Sequence, residues 1–132
     1  MNALLLILFL SDTYGGRVHD KRIADTTPSP LPARSRLLQD LGFLAFTLPD
    51  VVILMPTKQP CGQELTREHQ RANQALNQHR LRIAHVNSRV KRCRIVKDRL
   101  RLWKAGVRDL VMELCCALHN FRVRLNPWQP MV

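Results

Sequence analysis

The stretch TREHQRANQALNQHRLRIAHVNSRVKRC, residues 66–93, decides how the rest of the chain is read. Ala72, Leu76, His79, Ile83, Val86, Val90 and Cys93 recur at intervals of three and four, the spacing that gathers side chains on one face of an α-helix. Thr66 stands where an N-cap would, and Glu68 puts an acid in the first turn, where the helix dipole favours negative charge. The pattern predicts one long amphipathic helix with a narrow apolar seam. A histidine on that seam, His79, reads as a core or edge residue rather than a ligand. Ala84 falls beside the seam, on a rim shared with Arg80, Ser88 and Lys91.

Downstream the chain turns basic. Residues 80–103, RLRIAHVNSRVKRCRIVKDRLRLW, hold nine Lys and Arg side chains and a single acid, Asp98. The formal net charge of the 132 residues is +11, and the excess lies in the second half: residues 1–60 carry six basic and five acidic groups, residues 61–132 fifteen and five. Such a surface attracts polyanions, nucleic acid first and anionic membrane second, because the basic run is too polar to lie stably in a bilayer. After Gly106, the residues Val107, Leu110, Val111, Leu114, Leu118, Phe121 and Leu125 predict the buried face of a final helix, which Pro127 closes.

Upstream, three apolar runs read as strands. VVILM, residues 51–55, is fenced by Pro49-Asp50 and Pro56 and predicts a buried strand. Leu37-Leu38 predict another, ending at Asp40, with Gly42 letting the chain turn away. A carboxylate at the carboxyl end of a buried strand lies where open α/β sheets line a ligand crevice; its plainer role is to form a turn or cap. ALLLILFL, residues 3–10, predicts a buried central strand bounded by Ser11-Asp12 and Gly15-Gly16. Eight residues cannot span a bilayer as a helix. The run has the length of a secretory h-region, but no positive charge precedes it and no small-residue cleavage site follows before Gly15. The segment after Gly16 starts as a short helix that Pro28, Pro30 and Pro32 forbid from continuing. The order is therefore strand, helix, strand, strand, long helix, helix. Three strands form a thin sheet for this much apolar surface.

Cys61, Cys93, Cys115 and Cys116 are spaced 32, 22 and 1 apart, which fits neither a zinc-ligand pattern nor a compact disulfide framework. Cys115 or Cys116 with His119 would set a sulfur and an imidazole on one helical face, but two ligands do not make a structural site. Reduced, buried cysteines acting as small apolar side chains are the expected reading.

Taken in order, GRVHDKRIAD (16–25), LLQDLGFLAF (37–46), ILMPTKQPCGQELT (53–66), the run from Ala72 to Val111 and CCALHNFRV (115–123) resemble the carboxyl-terminal half of the DDE superfamily endonucleases, bacterial transposases of the IS-five-like insertion-sequence group. The resemblance covers about residues 8–126. It implies a ribonuclease H-like fold, a mixed sheet with helices on its faces. It further implies two aspartates and a glutamate that hold divalent cations, magnesium or manganese. Hard cations prefer carboxylate oxygens, and two ions about 4 Å apart can activate the attacking oxygen and stabilise the leaving one. By the resemblance, the second aspartate is Asp40. The first belongs to a strand expected to precede Met1. The glutamate belongs to an Arg-x-Arg-x-Glu-His motif, matched here by Arg80-Leu81-Arg82-Ile83-Ala84-His85, so its position is Ala84, whose methyl group cannot bind a metal.

The expected fold is α/β, a partial ribonuclease H-like domain over residues 1–132 in which an incomplete mixed sheet carries a long basic helix and a C-terminal helix. The upstream strands and a helix-turn-helix are expected to be missing. The resemblance implies a truncated, catalytically inactive transposase, with Asp40 the remaining acid and metal ligand. The alternative is a non-catalytic basic protein that binds DNA or interferes with an intact transposase. Arg89, Lys91, Arg92, Arg94, Lys97, Arg99, Arg101 and Lys104 are the expected phosphate contacts. Self-association, no membrane partner and a place on the cytoplasmic nucleoid complete this reading; a small exported basic protein is the third.

Overall fold

The computed structural model describes residues 1–29, 31–98 and 104–127. The chain divides into two compact units, Tyr14–Arg80 and Met1–Thr13 together with Leu81–Val132.

In the unit from Tyr14 to Arg80, helix α1 spans Asp20–Thr26. The imidazole of His19 caps it by accepting from the amide of Lys21 at 3.3 Å, and Lys21 reaches Asp25 one turn on at 2.6 Å. The helix stops before the proline cluster, as the sequence predicts. Strands β1 (Arg36–Leu38) and β2 (Val52–Leu54) pair in parallel, with Leu37 opposite Ile53. Both expected strands form, but they are only half-buried, because the sheet has just these two strands among the described residues. The expected incomplete mixed sheet is thus a two-stranded parallel one.

Helix α2 spans Arg67–Lys91 and begins where the capping signal places it, with Thr66 Oγ1 accepting from the amide of His69 at 3.3 Å. Its seam is only partly realised. Val86 and Val90 are buried, while Ala72 and His79 are exposed, so His79 is neither a core nor an edge residue of a packed seam. Near its start the helix is held by a polar contact instead: the Asn73 side chain accepts from the Thr57 amide at 2.8 Å and donates to the Thr57 carbonyl at 2.9 Å.

In the unit of Met1–Thr13 and Leu81 onward, a four-residue helix, α3 (Arg94–Lys97), leads by way of Gly106 into α4 (Val107–Leu125). Gly106 has φ +79, a left-handed conformation that costs glycine little. The central strand expected at residues 3–10 is not formed. Leu5 takes φ 63, and Asn2 Oδ1 accepts from the amides of Leu4 and Leu6 at 3.1 and 2.9 Å, folding the start of the run into a turn. A strand needs a ladder, and here the backbone finds side chains of α4 in its place. Asn120 accepts from the Ile7 amide and donates to the Ile7 carbonyl, both at 2.8 Å, and His119 Nε2 lies 3.0 Å from the Leu5 carbonyl oxygen.

That docking also fixes which face of α4 is buried, and it is not the predicted one. Cys115, Cys116, His119 and Val123 are buried, whereas Leu110, Leu114, Leu118, Phe121 and Leu125 are 53–64 % exposed. Turning His119 and Asn120 toward the backbone of residues 5–7 turns the leucine stripe away. The core is accordingly made of small side chains: Val90, Cys115 and Cys116, packed with Ile7, Cys93, Val96, Val111 and Met112.

Candidate nucleic-acid interface and carboxylate site

Asp40 lies two residues beyond the end of β1 and caps a single 3-10 turn, Leu41–Phe43. One carboxylate oxygen accepts from the Leu41 amide at 2.7 Å, and the other accepts from Arg80 Nη2 at 3.0 Å. Both side chains are about half exposed. Asp40 therefore has the capping role that a strand-end aspartate commonly has, with a guanidinium added. Arg80, Arg82, Ala84 and His85 all lie on α2, but they divide between the units: Arg80 falls with Asp40, Ala84 with the other. Ala84 is exposed and presents only its methyl group.

These donors do not suit a divalent cation. A hard cation requires several convergent oxygens. Both Asp40 oxygens already accept hydrogen bonds, one of them from a positive charge, and Ala84 has no oxygen to offer. No group of three or more His, Cys, Asp or Glu side chains converges among the described residues.

The basic residues are better organised. The unit of Met1–Thr13 and Leu81–Val132 carries twelve Lys and Arg against four acids. At the end of α2, Arg89 and Arg92 line a cavity of about 100 Å³ with Arg122 of α4; Cys93, Cys115, Leu118 and His119 form the remaining walls. Arg92, Lys91, Lys97 and Lys104 are exposed, Arg89 is half-buried, and Arg94 is turned to solvent with Asp98 3.5 Å away. Arg99 and Arg101 lie outside the described residues. Sequence reasoning missed Arg122, because it sits on a helix judged by its apolar spacing alone. A second, largely apolar cavity of about 220 Å³ is lined by Leu4, Leu5, Leu6 and Val123, with Arg82 and Arg124 among its walls.

The cysteines are free, and Cys115 and Cys116 are buried as expected. Burial pushes both thiols above their ordinary range. Cys115 is raised further by a hydrogen bond with Cys93 and by the charges Cys93 and Cys116 would carry, Cys116 by that of Cys93. Both stay neutral at physiological pH and serve as core atoms. No helix among the described residues is long and apolar enough to cross a membrane.

A family model described as DDE superfamily endonuclease matches residues 1–120. The chain is 29% identical over 113 residues to the probable transposase for insertion sequence element IS702 of Microchaete diplosiphon, an alignment covering 84% of this chain and 40% of that protein. The chain thus spans about two fifths of the length of that curated relative. No solved structure matches it.

Proposed function

The chain belongs to the DDE superfamily endonucleases, and from that premise we propose that it holds DNA through the basic end of α2 and does not cut it. In the family, divalent magnesium or manganese supplies the activation of the attacking oxygen, and carboxylates hold the ions. The observation that carries the proposal is the state of the two carboxylate positions: Asp40 gives one oxygen to a backbone amide and the other to Arg80, and Ala84 has none.

What this chain's residues can do is bind phosphate. Arg89 on α2, Arg92 just past its end and Arg122 on α4 line one small cavity, and planar guanidinium groups suit phosphate oxygens better than ammonium groups. Lys91, Arg94, Lys97 and Lys104 extend the positive field beyond it. Contacts of this kind fix position on a duplex and carry no base information. The parallel β1–β2 pair before a long helix supports reading residues 1–132 as part of a ribonuclease H-like catalytic domain. Interference with an intact transposase of the same group, on the nucleoid, belongs to the same reading, since a copy that binds without cutting would compete for DNA.

The test pairs binding with cleavage. Fluorescence anisotropy should give equal affinity for unrelated duplexes, with log affinity falling linearly against log salt by roughly 0.9 per phosphate neutralised. Arg92→Glu with Arg122→Glu should weaken all sequences alike. Supercoiled plasmid should remain intact with magnesium or manganese. Nicking by the unaltered chain would overturn the loss of catalysis; binding indifferent to salt would overturn the DNA interface.

A further inference from the structure

Five of the largest apolar side chains of α4 are left outside the fold. Leu110, Leu114, Leu118, Phe121 and Leu125 are 55, 56, 53, 60 and 64 % exposed, and they follow one another at intervals of four, four, three and four, so they form one continuous stripe. Exposed apolar patches of this extent mark association surfaces.

The order of residues along the stripe identifies what fits it. If a second α4 is laid against the first in the opposite direction, centred between Ala117 and Leu118, then Leu110 meets Leu125, Leu114 meets Phe121 and exposed Ala117 meets Leu118. Every large side chain finds an apolar partner, and each small position faces a large one. The charges follow the same two-fold pattern. Glu113 and Arg124 are eleven residues apart, about three turns, and so lie on the same rim of the stripe. In the antiparallel arrangement Glu113 of one copy comes within two residues' rise, about 3 Å along the axis, of the level of Arg124 on the other. Neither forms an ion pair within the chain among the described residues. A parallel arrangement would instead set Glu113 against Glu113 and align the two helix dipoles unfavourably. On the order of 100 Å² of each stripe side chain is open, so pairing two copies removes roughly 1,000 Å² from water, near the lower bound of specific interfaces.

We infer that two copies of this chain associate through the leucine stripe of α4, antiparallel, about a two-fold axis between Ala117 and Leu118. Such an isologous contact closes after two copies. It presents two sets of the Arg89, Arg92 and Arg122 cavity on one particle, so that DNA contacts made by one copy favour those of the other.

Sedimentation equilibrium of the full chain tests this directly. The unaltered chain should have twice its 15.3 kDa mass. Leu114→Lys with Phe121→Lys should give a monomer that keeps its helical far-ultraviolet spectrum. Because those changes could also disturb folding, a second set confines itself to the exposed rim: Glu113→Arg alone and Arg124→Glu alone should each raise the dissociation constant by roughly tenfold or more, and the two together should restore it. A monomeric unaltered chain, a dimer that survives Leu114→Lys with Phe121→Lys, or a double charge reversal no tighter than the single ones would each overturn the inference.

Discussion

Arg80 donates from Nη2 to Oδ2 of Asp40 at 3.0 Å, joining the middle of α2 to the aspartate two residues beyond the end of β1. The pair places a fixed positive charge beside one of the two Asp40 carboxylate oxygens, while the other accepts from the Leu41 amide. Its worth to stability is small, because both side chains are about half exposed. Arg80→Ala should change the unfolding free energy by less than about 1 kcal/mol, whereas Asp40→Ala should cost about 1 kcal/mol, since it also removes the cap on Leu41. Urea unfolding of both variants checks the order. An Arg80→Ala cost larger than that of Asp40→Ala would show that the ion pair outweighs the cap.

Asn120 holds both backbone groups of Ile7 with one amide, and Asn73 does the same for Thr57. The first pair is part-buried and the second exposed, so water can replace the second more easily. Amide hydrogen exchange should report this difference. Asn120→Ala should speed exchange at Ile7 by roughly tenfold or more, corresponding to about 1.5 kcal/mol, and Asn73→Ala should have a smaller effect at Thr57.

Gln39 is 6 % exposed, and neither atom of its side-chain amide has a hydrogen-bond partner among the described residues. Enclosing such a group costs about 1–3 kcal/mol. Gln39→Leu removes that cost at similar volume, while the backbone bond from the Gln39 amide to Leu54 is untouched. Thermal unfolding should therefore shift upward for Gln39→Leu, and a downward shift would mean that the amide is satisfied in solution.

Cys115 and Cys116 hold their protons more tightly in the folded chain than in the unfolded one, whose thiols titrate near 9.0. The unfolded chain thus loses these protons first as pH rises, and the folded state binds more of them. Stability contributed by the two thiols is complete below about pH 9 and is lost as pH climbs through their folded values. Urea midpoints should fall between pH 8 and pH 10, and Cys115→Ala with Cys116→Ala should flatten that slope relative to the parent chain.

Local signals in the sequence were reliable where they concern one segment alone. Thr66 capped α2, the prolines after Thr27 ended α1, and the fences around residues 37–38 and 51–55 located β1 and β2. What failed depended on partners. The run at residues 3–10 has strand composition, but no ladder is available to it, and Asn120 and His119 take its backbone groups. The apolar spacing on α4 is real, yet burial went to the face that carries His119 and Asn120, whose side chains hold the backbone of residues 5–7, and five large apolar side chains were left exposed. Asp40 was recognised as a candidate from its place after a strand. Its pairing with Arg80, forty residues away, is set by the packing of α2 and has no local signature.

The enclosed apolar side chains Leu5, Val86, Val90, Cys115, Cys116 and Val123 all belong to the unit formed by Met1–Thr13 and Leu81 onward. Among the described residues between Tyr14 and Arg80, the only buried residue is Gln39. Stability is consequently uneven along the chain. Opening the Tyr14–Arg80 unit uncovers little hydrocarbon, so it carries a small heat-capacity increment and a shallow denaturant dependence. A protease added under native conditions would then meet its first cleavable backbone in that unit, well before the segment around Cys115 becomes accessible.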